Sequence, residues 1–354
     1  MRFIGNKENL IDRIKFILDR NKISGNSFFD FFSGTTSVAK YFKALNYTVY
    51  SSDILYFSYC LQRAYIEGNA PLYFHDVFDY YTKGVRNTLF FDPYEEIFSY
   101  LNSLPPLEGF IFQNYTPKGT ENLTIPRMYF TNDNGAKIDA IRIEIEKLKE
   151  RSIISQSEYF FLIAALIESV PYYSNISGVY AAFRKTWDRR ALKDFKLKHI
   201  CPIITRKKCF SFYGNSLDLL KDISVDILYL DPPYNERQYA PNYHILETIA
   251  KYDNPEIKGI TGMRNYDLQK SDFCNTNKAL SNLDYIAREA DCKFLVLSYN
   301  SEGIMSSDSI LSILEKYGKV SCDKIDYTRF KSNSNGLSKS RKYIQELVYI
   351  LRKD

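Results

Sequence analysis

The apolar run Val225–Leu230 stops at Asp231-Pro232-Pro233-Tyr234, and this stop constrains the fold more than any other segment. The run carries β-branched and aromatic residues and reads as a buried strand. Each proline fixes its φ and lacks an N–H, so the strand ladder ends there and the carbonyls are left as free acceptors. In an open parallel sheet, ligands bind beyond the carboxyl ends of the strands. The turn therefore offers a carboxylate, a carbonyl acceptor and an aromatic face within a few ångströms. That set suits a planar heterocycle with an exocyclic amino group. An ordinary β–α turn would not need this sequence.

The same logic appears near the start. Leu10, Ile11, Ile14, Ile17 and Leu18 recur at helical spacing. Residues Ser27 to Phe31 read as a short aromatic strand, Val38 to Leu45 as a helix, and Tyr47 to Ser51 as a second strand followed by Asp53. This is a β-α-β unit of about 30 residues, with an acid about 20 positions beyond its glycine. The intervening turn, Asp30-Phe31-Phe32-Ser33-Gly34-Thr35, holds a glycine that lets backbone approach a ligand closely. Asp53 is placed to bind a ribose diol. A pyrophosphate cofactor would call for G-x-G-x-x-G, and here one glycine is followed by Thr35-Thr36-Ser37. A nucleoside ligand without phosphates fits better, which disfavours a nicotinamide dehydrogenase.

Between about residues 70 and 205 the pattern changes. Prolines are frequent up to 126, and two helices follow. Ala136–Glu150 has one apolar face, and a capping box at Ser155–Glu158 precedes Tyr159–Val170. The basic stretch Tyr180–Leu197 also has helical spacing. Strands return at Cys209–Tyr213, Phe294–Tyr299, Val320–Tyr327 and Tyr343–Leu351. The spacing predicts one α/β domain, residues 1–70 and 205–354, split by an insertion over 71–204.

The length of 354 residues accommodates two domains. The net charge of +5 is weak evidence for an anionic partner, but Arg184 to Lys208 holds ten Lys/Arg against two Asp. That local excess points to a phosphate-binding surface, with a solvated helix face as the alternative. Aromatics make up 16%, enough to supply base-stacking faces beyond the core. The six cysteines have no zinc-knuckle spacing, and His75, His199 and His244 are dispersed, so no metal site is expected. The polar start, the free thiols and the absence of a run near 20 apolar residues predict a cytoplasmic chain off the membrane.

Taken in order, Phe3-Ile4-Gly5-Asn6-Lys7, Asp30 to Gly34 and Asp231 to Tyr234 resemble the motifs of S-adenosylmethionine-dependent DNA adenine-N6 methyltransferases of the D12 class, in the alpha motif order. The chain is most similar to methyltransferases of type IIS restriction–modification systems, on Arg127-Met128-Tyr129-Phe130-Thr131, Lys137–Arg142 and Gly178–Phe183. The resemblance implies a Rossmann-like class I methyltransferase sheet with an inserted, mainly helical target-recognition domain. It implies that S-adenosyl-L-methionine is held by Phe3, Gly5, Lys7, Asp30, Phe32, Gly34, Asp53, Asn215 and Asp231. Asn215 stands where members often carry an acid, and Thr36 where many carry a second glycine.

The implied reaction is direct methyl transfer to adenine N6. Asp231 and the Pro232 carbonyl would accept the amino hydrogens, Pro233 would stiffen the turn, and Tyr234 would stack on the base. N6 is hidden in a duplex, so the adenine must be flipped out of double-stranded DNA. Arg184, Lys185, Arg189, Arg190, Arg329, Lys331, Lys339 and Arg341 are the candidate phosphate contacts. The family pattern implies a monomer, a cognate restriction endonuclease and, with one active site, a second methyltransferase for the other strand; the length leaves no room for a nuclease domain. Cytosine N4, RNA adenine and glutamine amide nitrogen are alternative acceptors on the same fold. A catalytically silent DNA-binding protein is the alternative of a different class.

Overall fold

The structure is a computed structural model that describes residues 6–82, 92–328 and 343–353. Phe3, Gly5, Arg329, Lys331, Lys339 and Arg341 lie outside the described residues. The elements are α1 (Ile11–Arg20), β1 (Ser27–Asp30), α2 (Ser37–Ala44), β2 (Thr48–Asp53), α3 (Tyr56–Gln62), α4 (His75–Thr82), α5 (Pro93–Ser103), α6 (Phe110–Tyr115), α7 (Asn132–Glu150), α8 (Gln156–Ser169), β3 (Phe210–Tyr213), β4 (Ser224–Leu230), α9 (Ala240–Lys251), α10 (Thr276–Glu289), β5 (Asp291–Asn300), α11 (Ser307–Leu314), β6 (Gly318–Thr328) and β7 (Tyr343–Lys353).

They fall into two compact units. The sheet unit takes the described residues of 5–62, 205–240 and 267–354. Its sheet has the order β3-β2-β1-β4-β5-β7-β6. Strands β3, β2, β1, β4 and β5 are parallel, and β7 runs antiparallel between β5 and β6. The α/β class with a Rossmann-like sheet is as the sequence predicts. The central strands are apolar because helices cover both faces of a parallel sheet. Phe28 and Phe29 of β1 and Ile227 to Leu230 of β4 are buried. Phe28 stacks on Phe42 of α2 with ring centroids 3.7 Å apart, which seats α2 on β1. Each such buried ring contributes about 1.5–3 kcal/mol.

The edge of this core is fastened by one carboxylate. Asp226 accepts from the backbone N–H of Asn26 and Ser27 and from the Ser27 hydroxyl, joining the start of β1 to β4. Gly25 is required beside it, because a Cβ there would sit 2.3 Å from the Asp226 Cβ.

The helical unit takes the described residues of 63–204 together with Pro241–Tyr266. The second segment falls inside the stretch that the sequence reading gave to the sheet domain. Long-range bonds explain its place. The Arg142 guanidinium donates to the carbonyls of Ile249 and Ala250, and Arg127 donates to those of Gly259 and Ile260. Helix α7 begins at Asn132, four residues before the sequence expectation, capped by the Thr131 hydroxyl. The Ser155–Glu158 capping box forms as predicted at the start of α8.

One expectation fails: Tyr180–Leu197 is not helical. Side chains take the backbone groups a helix would need. Asn175 binds the Arg184 carbonyl and the Asp188 N–H, and its own carbonyl accepts from Arg184 N–H. Asn134 binds the carbonyls of Ala191 and Lys193. An antiparallel bridge joins Ile176 to Phe183. Among the described residues, no helix is long and apolar enough to cross a membrane.

Candidate active site

In the sheet unit, β1 and β4 lie side by side, and the chain leaves them in opposite directions, to β2 and to β5. Such a reversal opens a crevice at the carboxyl ends of the strands. Asp30 ends β1, Asp53 ends β2, and Asp231 follows β4. The sequence-predicted carboxylates thus come to one end of one sheet.

The turn after β1 is held from below. Gly34 takes a φ of +50° and Thr36 a φ of +61°, a region glycine enters without strain. Gly34 N–H donates to Asp53 Oδ2 at 2.8 Å, and Leu55 N–H donates to Asp53 Oδ1 at 2.8 Å. Asp53 therefore shapes the turn. Ser58 donates to the Gly34 carbonyl, and Ser216 and Ser52 donate to that of Phe31. Sequence reasoning missed these three serines, since a serine in a turn carries no distinctive pattern.

Asp30 has a structural task at this turn. It is buried and accepts from Ser33 Oγ at 3.2 Å and from the Ala39 N–H of α2 at 3.1 Å. It ties the turn to the first turn of α2, whose N-cap residue Thr36 makes no side-chain cap. Burial, reinforced by the charge of Asp231, pushes its carboxyl up to about 7. Phe32 is half-buried, edge-on to Phe31 and Phe273, each with centroids 5.1 Å away. Asn215 is exposed at the end of β3 and caps the short turn Ser216–Leu219 through Leu217 N–H.

At the end of β4, Asp231 keeps 18% of its side chain accessible, and Lys7 meets it at 3.0 Å. The Lys7 Nζ also lies 2.7 Å from Glu346 Oε1. Burial opposes the charge on Lys7, yet Asp231 and Glu346 hold it protonated, with a pKa well above the ordinary value. Burial raises the Asp231 carboxyl to about 7; Lys7 opposes that rise and Glu346 adds to it. The Tyr234 carbonyl accepts from Ile304 N–H at 3.0 Å, fastening the motif to the loop after β5. The carbonyl of Pro232 receives no hydrogen bond from the described residues. Tyr234 is half-buried against the core.

The donor set selects among ligands. Three carboxylates, Asp30, Asp53 and Asp231, converge on this end of the sheet, and the nearby Lys7 is already neutralised by two of the acids around it. A polyanion such as a pyrophosphate would be repelled. A cationic ligand with hydroxyl donors fits, because carboxylates are acceptors only. The sulfonium, ammonium and ribose diol of S-adenosylmethionine match that requirement.

In the helical unit, Asp188 pairs with Arg184 and Arg190, each at 3.0 Å, and those guanidinium groups hold its carboxyl well below the carboxylate range. Lys185 and Arg189 are exposed. The four candidate phosphate contacts thus divide into two that brace a loop and two that face solvent.

Comparison with known proteins agrees with this geometry. The model of the family "D12 class N6 adenine-specific DNA methyltransferase" matches residues 3–313. "Modification methylase StsI" of Streptococcus sanguinis is 35% identical over 360 residues, covering 100% of this chain and 52% of that protein. "Type II methyltransferase M.FokI" of Planomicrobium okeanokoites is 38% identical over 359 residues, covering 100% and 53%. The chain therefore spans about half the length of these relatives. "Type II methyltransferase M.NlaIII" of Neisseria lactamica is 36% identical over 337 residues, covering 94% of this chain and 93% of that protein. With a family match that runs through both units and a relative of nearly equal extent, the chain belongs to the D12 class of N6 adenine-specific DNA methyltransferases.

Proposed function

We propose that this chain methylates N6 of adenine in double-stranded DNA, as the modification component of a restriction–modification system. The observation that carries the reading is the partly accessible Asp231 carboxylate, paired to Lys7 beside the unengaged Pro232 carbonyl. When bound, S-adenosylmethionine supplies an electrophilic methyl group. Asp53 would accept from its ribose hydroxyls, Gly34 and Phe32 would line its path, and Asn215 would face its adenine.

The chain's own work is on the acceptor. The amino nitrogen of adenine is a poor nucleophile because its lone pair is delocalised into the ring. Asp231 and the Pro232 carbonyl would each accept one N6 hydrogen, favouring an sp³-like nitrogen with its lone pair free for attack. As the N–C bond forms, nitrogen gains positive charge and sheds one proton. A carboxyl with a pKa of about 7 accepts that proton more readily than an ordinary aspartate. Tyr234 would stack on the flipped base, returning about 1–3 kcal/mol against the cost of unstacking.

The helical unit would read the target, with Lys185 and Arg189 on phosphates. The names of the relatives, modification methylase and type II methyltransferase, support a cognate endonuclease. A second methyltransferase for the other strand and a monomeric state are part of the same proposal. Acting on cellular DNA, the chain would work in the cytoplasm.

The test is methylome sequencing of DNA from a methylation-free host expressing this chain. The expected result is one short motif carrying N6-methyladenine. N4-methylcytosine would overturn the acceptor, and an unmarked genome would overturn the activity.

A further inference from the structure

We propose that Glu346, steadied by Ser298, is a positioning residue of this site: it anchors the Lys7 ammonium so that the lysine meets Asp231 from the buried side. The inference rests on the reading that Asp231 accepts the amino hydrogens of adenine.

A lysine ends a flexible four-carbon stem, and its ammonium keeps one place only if something fixed holds it. Here that anchor is Glu346 Oε1, at 2.7 Å, slightly closer than Asp231 at 3.0 Å. Glu346 is itself fixed. It lies on β7 opposite Asn300 of β5, and Ser298 is two residues back along β5, on the same face. The Ser298 hydroxyl donates to Glu346 Oε1 at 2.5 Å. Accessibility falls inward along the chain of groups, from 18% for Asp231 to 7% for Lys7 and 0% for Glu346.

A wholly buried glutamate is a costly choice at the head of the apolar run Leu347–Leu351. Its neighbours Leu347, Val348 and Tyr349 are all buried. Packing alone would be served better by another aliphatic residue. Glu346 Oε2 has no hydrogen-bond partner among the described residues, and Oε1 takes both the Ser298 hydroxyl and the Lys7 ammonium. What it does is hold Lys7.

The charge count gives the consequence. One ammonium lies between two carboxyl groups, so with both ionised the cluster would carry one excess negative charge. Among the described residues, the other titratable groups facing it are Asp30, which faces Asp231, and the Tyr229 hydroxyl, which faces Lys7, Asp231 and Glu346. Burial raises the proton affinity of Asp231, and Lys7 works against that rise. Glu346, by sharing the lysine, adds to the proton affinity of Asp231.

E346Q keeps an oxygen for Lys7 and removes the charge. The experiment follows the Asp231 carboxyl by carbon-13 NMR of labelled aspartate, using D231N to assign the resonance, alongside the pH profile of methyl transfer. The expected result is an Asp231 midpoint lower by about 1 pH unit in E346Q, with the acid limb of turnover moving by the same amount. S298A, which unpins the carboxylate from its place against Lys7, should lower the midpoint by less. It serves as the test variant if E346Q fails to fold. An Asp231 midpoint unchanged in the folded variant would overturn the inference, since a merely structural glutamate could alter stability or rate without moving that titration. If the wild-type chain methylates no adenine while the midpoint still moves, the functional reading falls and the anchoring stands.

Discussion

Asp30→Asn should remove a pH dependence that the buried carboxylate imposes on the sheet unit. Asp30 is 1% exposed, and burial with the neighbouring Asp231 charge raises its carboxyl from 3.8 to about 7. Between about pH 4 and pH 7 the folded chain therefore holds a proton that the unfolded chain has released. Stability follows the excess of protons bound in the unfolded state, here minus one, so it falls as pH rises through this window. About three pH units at about 1.4 kcal/mol each set a ceiling near 4 kcal/mol. Asparagine keeps an acceptor oxygen for Ala39 N–H and Ser33 Oγ and has no charge to bury. Relative to wild type, D30N should thus be stabilised more at pH 8 than at pH 5, by up to about 3 kcal/mol, since about two of those three pH units lie between the two conditions. Tryptophan fluorescence would report the wrong unit, because the single Trp, Trp187, lies in the helical one. Amide hydrogen exchange in β1 and β4 reads the sheet directly, and comparison at matched pH cancels intrinsic exchange. A difference between D30N and wild type that is equal at pH 5 and pH 8 would refute the reasoning.

Two further outcomes follow from the site. Tyr234→Ala should reduce turnover on duplex DNA by roughly 5- to 150-fold, the equivalent of about 1–3 kcal/mol of stacking, while calorimetric affinity for S-adenosylmethionine holds. Lost cofactor affinity with turnover retained would remove Tyr234 from the base pocket. Replacing Lys185 and Arg189 together with alanine should weaken DNA binding at all sequences and flatten the log–log salt slope by about 2. An unaltered slope by fluorescence anisotropy would take both residues off the phosphate surface.

What could be read from sequence was what is written locally. The runs at β1 and β4 show their ends because apolar residues give way abruptly to Asp30 and Asp231. The start of α8 shows itself because a capping box is complete within four residues, Ser155 to Glu158. Asp53 was legible from its spacing to Gly34, and the structure adds the bond between them. Glu346 was the missed member of the site. Its one signal is an acid inside the run Tyr343–Leu351, and its meaning depends on Lys7, hundreds of residues away. The false helix at 180–197 had the right spacing, but Asn134 and Asn175 took its backbone groups from outside the pattern, and Asp188 within it took the arginines. The Pro241–Tyr266 segment joined the helical unit for the same reason: buried Arg127 and Arg142 bind its carbonyls, and no local periodicity reports such bonds.

The role of Asp231 in methyl transfer is tested most directly by comparing the purified wild-type chain with D231A, using duplex DNA and methyl-labelled S-adenosylmethionine, with nucleoside mass spectrometry as the readout. Labelled N6-methyladenine is expected with wild type and none with D231A, while both proteins give the same circular dichroism spectrum. N6-methyladenine formed by D231A at the wild-type rate would contradict that role.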